Sequence, residues 1–141
     1  MKRKGLIALL LSFVMMMSVM ASACSSTPKT IEEYINNDKD AMAEVQKAAD
    51  ASGLTVDFKG NDVIYTYDLS GIDGVTEENI KSDVMVENLS NALAGQGETF
   101  ASLCKQLEEE SKIEGVQIVV NYTYGDEVIV TKTFNSSGAV E

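Results

Sequence analysis

The sequence predicts an α+β fold: a single domain of duplicated α-β-β units, with two helices packed on one face of a four-stranded antiparallel sheet. Two observations support this prediction. A stretch with helical periodicity is followed by two alternating segments joined by a glycine-polar turn, and this order occurs twice. Residues 31–141 are also enough for one compact domain and too few for two of ordinary size.

The first unit opens with an amphipathic helix. Its apolar residues fall on one helical face, namely Ile31, Ile35, Met42, Val45 and Ala49. Thr30 and Glu33 form a capping box at its start, and Gly53 ends it. Asp38 lies close to the apolar stripe. Its position indicates either a break in the helix or a carboxylate at the rim of the packed face.

A β-hairpin follows this helix. Its first strand alternates Leu54, Val56 and Phe58 with polar residues, and its second strand places Val63, Tyr65, Tyr67 and Leu69 on one side. Gly60-Asn61 separates the two strands and suits a tight turn. The pattern is typical of a hairpin with one buried face.

The second helix is expected to begin near Thr76, which can cap it ahead of two glutamates. One stripe contains its apolar residues, namely Met85, Leu89, Leu93, Phe100, Leu103 and Leu107. Gly95 and Gly97 interrupt the stripe, each at a cost of about 1 kcal/mol relative to alanine. Because the stripe keeps its phase across both glycines, we expect the helix to run through them.

The last segment repeats the hairpin. Residues 116–124 alternate before a Gly125-Asp126 turn, and residues 128–134 form the returning strand. The two turns lie 65 residues apart, and a Tyr-Thr-Tyr step occurs in each hairpin. A lone hairpin is marginal in water, so the two hairpins are expected to merge into one sheet that the helices cover on one side. The other face would then expose a polar set: Thr55, Asp57, Thr66, Asp68, Gln117, Asn121 and Thr123.

Residues 1–23 have the pattern of a secretory signal peptide. Lys2, Arg3 and Lys4 precede an apolar run that is short for a membrane-spanning helix, and small residues follow it. Cleavage is predicted between Ala23 and Cys24. These small residues followed by cysteine resemble a bacterial lipobox, although Ala21 stands where leucine is usual.

The chemistry of Cys24 has two interpretations. Lipidation would leave Cys104 as the remaining thiol, whereas a free Cys24 would permit a Cys24–Cys104 disulfide outside the cell. Residues 24–30 are small and polar with one proline, which is typical of a flexible tether. A flexible tether suits a lipid anchor better than it suits a disulfide. The expected anchor carries two acyl chains, such as palmitate, on Cys24.

The charge of the chain excludes some partners. The segment 1–23 holds three of the 11 basic residues and none of the 22 acidic ones, so the mature chain has 8 basic and 22 acidic residues and a formal charge of −14. Such a surface repels nucleic acid and anionic lipid. The membrane is therefore expected as a partner through the anchor on Cys24, with no nucleic acid partner.

The residues offer little for catalysis. The chain has no histidine, which removes the usual general base and the commonest metal ligand. Residues 68–74 (DLSGIDG) resemble a calcium loop, but Ile72 stands at a ligand position and Asn79 replaces the bidentate glutamate. We expect no enzyme activity, no cofactor and no metal, and Cys104 is interpreted as a small apolar residue rather than a nucleophile.

The tyrosines are the candidate binding residues. Tyr65, Tyr67, Tyr122 and Tyr124 flank the two hairpin turns. Tyrosine offers a large apolar area with a polar tip, which suits recognition. The alternative is that these rings lie at the edge of the core with their hydroxyls at its rim.

The region from Ile31 to Phe134 resembles a family of small bacterial lipoproteins of the Firmicutes, named domain of unknown function 4854. The resemblance is carried by TIEEYINN, GNDVIYTYDL, NALAGQGETFASLCKQLEEE and VVNYTYGDEVIVTKTF. It implies a lipid-anchored, extracytoplasmic single domain and implies no catalytic residue. Gly95 and Gly97 depart from the smoother helix of the family.

These observations predict a cell-membrane lipoprotein, exposed outside the cytoplasm, that acts as a non-catalytic binding or interaction module for an unidentified protein or small molecule. Two alternatives stay open. One is an accessory lipoprotein that supports an envelope complex. The other is a carrier of a small apolar molecule between the helices and the sheet.

Overall fold

The computed structural model describes residues 29–140, which form five helical segments and one sheet of five strands. The elements are α1 (Ile31–Asn36), α2 (Lys39–Ser52), β1 (Leu54–Lys59), β2 (Asp62–Asp68), α3 (Glu77–Ile80), α4 (Asp83–Ala94), α5 (Gly97–Ser111), β3 (Gln117–Tyr124), β4 (Glu127–Asn135) and β5 (Gly138–Ala139). The α+β class predicted from the sequence is confirmed. The signal peptide, Ala23, Cys24 and most of the tether lie outside the described residues.

The sheet has the order β1-β2-β3-β4-β5. β2 and β3 are parallel, and the other neighbours are antiparallel. The prediction of four antiparallel strands is therefore wrong in two respects. Three helices return the chain from the end of β2 to its beginning, and such a crossover makes the next strand parallel. The fifth strand is the short β5, which pairs with the end of β4.

One face of the sheet carries the core. Buried and exposed residues alternate along β1, and the same alternation continues through β2 and most of β3. The inward residues of the strands are Leu54, Val56, Phe58, Val63, Tyr65, Tyr67, Ile118, Val120, Tyr122, Val130 and Phe134. The helices cover this face, with α1 and α2 against β1 and with α4 and α5 against β4. Among the helices of residues 29–140, none packs on the opposite face.

The two hairpins are not copies of one unit in their burial. Both turns begin with a glycine at positive φ, 60° at Gly60 and 63° at Gly125. Counted from these turns, Val63 corresponds to Val128, but Val63 is 0% exposed and Val128 is 53% exposed. The predicted duplication is therefore not exact. Val130, which corresponds to Tyr65, is buried as Tyr65 is, but the register of β3 against β4 shifts between Tyr122 and Thr123, and Val128 lies on the turn side of that shift.

Asp38 marks a real break in the first predicted helix. α1 ends at Asn37, whose amide bonds back to the Glu33 carbonyl, and α2 restarts when the Met42 amide bonds to the Asp38 carbonyl. Of the two interpretations of Asp38, the structure supports the break. On both sides of the break the helices keep apolar residues in the core, Ile31 and Ile35 from α1 and Val45 and Ala49 from α2.

The second predicted helix is three helices, so the expectation that it runs on is wrong. Ser82 caps α4 with its hydroxyl on the Met85 amide, and Gly95 ends that helix. Gln96 then departs from helical geometry before α5 begins. Gly97, the first residue of α5, lies over the Phe134 ring, where a Cβ would be at an ordinary van der Waals distance of 3.9 Å.

Lys112 ends α5 in a left-handed conformation with φ of 61°. The left-handed region costs a non-glycine residue about 1–2 kcal/mol. Lys112→Gly is therefore expected to raise the free energy of unfolding by about 0.5–1 kcal/mol, after the entropy that glycine loses on folding. Urea unfolding measures it. Lys112→Ala is the matched control. Its free energy of unfolding should change little, since alanine keeps the strain of the left-handed conformation. An equal gain in stability in both variants would contradict this account.

The β1–β2 turn is held to two other segments by a cluster that we call the clasp, formed by Ile31, Glu32, Gly60, Asn61 and Glu114. The Ile31 amide donates to Asn61 Oδ1 (3.3 Å) and the Glu32 amide donates to the Gly60 carbonyl (3.0 Å). The Gly60 amide donates to Glu32 Oε2 (2.8 Å), and Asn61 Nδ2 donates to the Glu114 carbonyl (3.2 Å). The clasp therefore fixes where the chain enters the domain.

Candidate binding surface

The helix-free side of the sheet is the candidate site, and we call it the open face. Its members are Thr55, Asp57, Ile64, Thr66, Gln117, Val119, Asn121, Thr131 and Thr133. They are exposed or half-buried. Each comes from a strand whose alternate residues are buried in the core, so the sheet sets the spacing of the side chains on the open face.

Two adjacent rows cross four strands of the open face. The first row consists of Thr55 on β1, Thr66 on β2, Asn121 on β3 and Thr131 on β4. Each of these residues is paired with the next one across neighbouring strands. The Thr131 hydroxyl donates to Asn121 Oδ1 at 2.6 Å. This row offers hydroxyl and amide groups at the spacing of neighbouring strands, about 4.8 Å.

The second row is apolar in its middle. It consists of Asp57 on β1, Ile64 on β2, Val119 on β3 and Thr133 on β4, each paired with the next. Ile64 and Val119 are only half-buried, although they occupy the two central strands. An apolar pair next to a polar row can contact a ligand by both dispersion and hydrogen bonds, as binding surfaces commonly do. The alternation of the strands predicted Thr55, Thr66 and Asn121 here, but the sequence analysis did not single out Ile64 and Val119.

The outer edge of β1 is partly closed. Gln46 of α2 donates from Nε2 to the Val56 carbonyl at 3.2 Å. A side chain on an edge carbonyl removes one of the groups with which another strand would pair. The face of the sheet is therefore a better candidate than this edge.

Asp68 closes one end of the open face. Its Oδ1 accepts from the Ser70 amide (2.9 Å) and from the Gly125 amide (3.0 Å), which ties the end of β2 to the β3–β4 turn. Hydrogen bonds donated by Ser70, first of all by its amide, and by the Gly125 amide hold the pKa of Asp68 below its ordinary value. The carboxylate is an organising group for the turn.

This pKa shift predicts a pH effect. Because the folded pKa of Asp68 is lowered, its contribution is present above the unfolded pKa, near 4, and is lost as the pH falls through the folded value. Asp68→Asn should lower stability at pH 7 by about 0.5–1 kcal/mol, since the exposed carboxylate is screened. Its unfolding energy should also fall less steeply than that of the wild type below about pH 4. If the unfolding free energies of the two proteins fall equally steeply below about pH 4, the lowered pKa of Asp68 is contradicted.

Lys81 joins α3 to β4 beside the same turn. Its Nζ lies 2.7 Å from Glu77 Oε1 and 2.6 Å from Glu127 Oε2. The hydrogen bond to Glu127, followed by the one to Glu77, raises the pKa of Lys81 to about 12. This exposed triad links the residue after α3 to the start of β4 and places two carboxylates at this end of the sheet.

Most of the candidate tyrosines lie away from the open face. Tyr65, Tyr67 and Tyr122 are buried on the helix-covered side, and Tyr124 is half-buried at the turn. Tyr67 and Tyr122 come together with ring centroids 6.2 Å apart in an edge-on arrangement. Burial raises the pKa of Tyr65 and of Tyr67. A binding role for the four tyrosines stays a prediction. Thr123, which was expected on the exposed face, is also buried at 6% exposure.

Cys104 is 0% exposed, and its thiol lies 3.7 Å from the Phe134 carbonyl oxygen. Burial, and after it the charge of Glu108, raises the pKa of Cys104 to about 12. A buried thiol of this kind is a poor nucleophile. It also presents no sulfur at the surface for a disulfide with the tether.

Two further observations concern metals and membranes. Within residues 29–140, no group of three or more histidine, cysteine, aspartate or glutamate side chains is placed to hold a metal ion. Among the helices of that same range, none is long and apolar enough to cross a bilayer.

The fold and the surface together define a class of protein: a small α+β domain with helices on one side of a mixed sheet and a polar, helix-free opposite side. The chain belongs to the family described as Domain of unknown function (DUF4854), whose model matches residues 31–134. Searches of curated proteins and of solved structures gave no match.

Proposed function

We propose that this chain is an extracytoplasmic lipoprotein, held at the cell membrane by a lipid on Cys24, and that its domain is a non-catalytic binding module. The anchor is supported by the signal-peptide pattern of residues 1–23 and by the small residues ahead of Cys24. The burial of Cys104 supports it further, since a Cys24–Cys104 disulfide would need the core to open.

The observation that carries the binding role is the pair of rows on the open face. Ile64 and Val119 form an apolar centre at the surface, and Thr66 and Asn121 border it with hydrogen-bonding groups. Side chains on the solvent-facing side of a sheet are usually polar. Two half-buried apolar residues, Ile64 and Val119, in the middle of an uncovered face therefore favour a contact surface. The ligand this surface suits is flat, with an apolar centre and hydrogen-bonding groups at its border.

The anchor is tested by mass spectrometry of the protein purified from the membranes of its own host. The proposal expects an N-terminal peptide that begins at Cys24 and carries a diacylglyceryl group. It also expects Cys24→Ala to leave the membrane fraction. A bare Cys24 on the wild-type protein, or an unchanged membrane fraction for the variant, would contradict the anchor.

The binding surface is tested by photo-crosslinking in living cells. A photoreactive amino acid at Thr131, on the open face, is compared with one at Lys105, which is exposed on α5. A discrete adduct from position 131 and none from position 105 is expected, and mass spectrometry then identifies the adduct. The same adduct from both positions, or none from position 131, would count against the open face.

A further inference from the structure

The chain enters the domain at a defined end of the sheet. Ile31 is fully buried, and its amide and that of Glu32 are held by the Gly60-Asn61 turn. The Gln117 amide donates to the Asn61 carbonyl at 3.0 Å, which places the start of β3 at this same end. The tether therefore leaves beside the clasp, at the beginning of β2 and β3, and the turn at Gly125 lies at the opposite end.

The lengths of tether and sheet restrict how the domain can stand on a bilayer. Seven residue steps join Cys24 to Ile31, which span at most about 25 Å when fully extended. β3 has eight residues, so the sheet is about 26 Å long between the clasp and the far turn. An inverted domain, with the far turn on the bilayer, would need an almost fully stretched tether. The clasp end on the bilayer needs no extension.

Charge does not distinguish the two ends of the sheet, because each end carries both signs. Lys29, Lys59 and Lys112 lie at the clasp end together with Asp62 and Glu114, and Asp68, Asp126 and Glu127 lie at the far end together with Lys81. Charge does disfavour lying flat on the open face. On that side β1 and β2 present Asp57, Asp62 and Asp68 against Lys59, and an anionic bilayer repels a net negative surface over about 10 Å. The length of the tether therefore decides which end meets the bilayer.

We propose that the clasp end of the domain is its bilayer-facing surface, and that the open face stands upright with the Asp68–Glu127 end pointing away from the membrane. This orientation rests on the proposed anchor at Cys24. A partner outside the cell would then meet the far turn and the open face first. The lipid surface that the clasp end contacts is the bilayer that holds the anchor.

Because the chain has no tryptophan, a single introduced tryptophan can serve as the donor in an energy-transfer measurement of its distance from the bilayer. Glu114→Trp places a donor at the clasp end and Asp126→Trp places one at the far end; both positions are exposed, and each variant removes one carboxylate. The full lipoprotein is put into vesicles of phosphatidylcholine and phosphatidylglycerol in equal amounts, with dansyl-labelled headgroups. Energy transfer should be several-fold stronger from position 114, since the two positions differ by the length of the sheet.

The outcomes separate the two proposals. Equal transfer from both positions, or stronger transfer from position 126, would overturn the orientation while the mass of the lipid on Cys24 still supports the anchor. A bare Cys24 would overturn the anchor and the orientation together. Ser70→Trp, exposed at the far end, repeats the second measurement if Asp126→Trp disturbs the turn. Strong transfer from 114 and weak transfer from both 126 and 70 supports the orientation.

Discussion

Replacing Phe134 by alanine is expected to lower the free energy of unfolding by about 3–5 kcal/mol. Phe134 is 0% exposed and stacks on Phe100 with ring centroids 4.7 Å apart. Its ring also lies beside Gly97, where α5 begins, and removing a fully buried ring leaves a cavity that destabilises the fold. The loss is a large share of the roughly 5–15 kcal/mol that stabilises a domain. Urea unfolding of the mature protein measures it.

The matched control is Val128→Ala in the same strand. Val128 is largely exposed, so its truncation should change the stability by no more than about 0.5 kcal/mol. Phe134→Leu should cost less than the alanine variant, because it leaves a smaller cavity. A Phe134→Ala protein as stable as the Val128→Ala protein would mean that the helices do not pack on β4 in this way.

The buried tyrosines are expected to make the protein sensitive to alkali. Burial, and after it the charge of Tyr67, raises the pKa of Tyr122 to about 12. The folded value lies above the unfolded one, near 10, so the stabilising contribution is complete below pH 10 and is lost as the pH rises towards 12. The loss for this one group is about 1.4 kcal/mol per pH unit across that window. Tyr65 and Tyr67 shift in the same direction because they are buried.

Tyr122→Phe tests this directly. The variant keeps the ring that packs against Tyr67 but removes the group that titrates. Between pH 10 and 12 its unfolding energy should therefore fall less steeply than that of the wild type, by about 1.4 kcal/mol per pH unit. Near pH 7 the two proteins should differ little. Identical slopes above pH 10 would show that Tyr122 is not held neutral by the core.

The local features of this fold follow from the sequence because they depend on neighbouring residues. Thr30 and Thr76 accept hydrogen bonds as helix caps, as predicted. Gly60 and Gly125 adopt the positive φ that tight turns require. The alternation around Val56 and Val120 likewise appears as strands with one buried face. Each of these needs only a few consecutive residues.

The candidate surface was predictable only in part. The alternation of β1 and β3 placed Thr55 and Asn121 on the exposed face, where the structure has them. Ile64 falls on the exposed side of the alternation in β2, but it was not singled out, because an exposed face is recognised from its polar residues and Ile64 is apolar. Asn61 gave no sign of its role in the clasp, since its partners Ile31 and Glu114 are distant in sequence.

The sequence by itself therefore determined the class of fold, the helix caps, the two hairpins and the alternation of their strands, because backbone preferences and side-chain periodicity act over short distances. Only the tertiary structure decided the parallel pairing of β2 with β3, the breaks at Asp38 and Gln96, and the burial of Tyr65 and Tyr122. The physical reason is register: which side of a strand is covered depends on the partner that it meets, and that partner lies far along the chain.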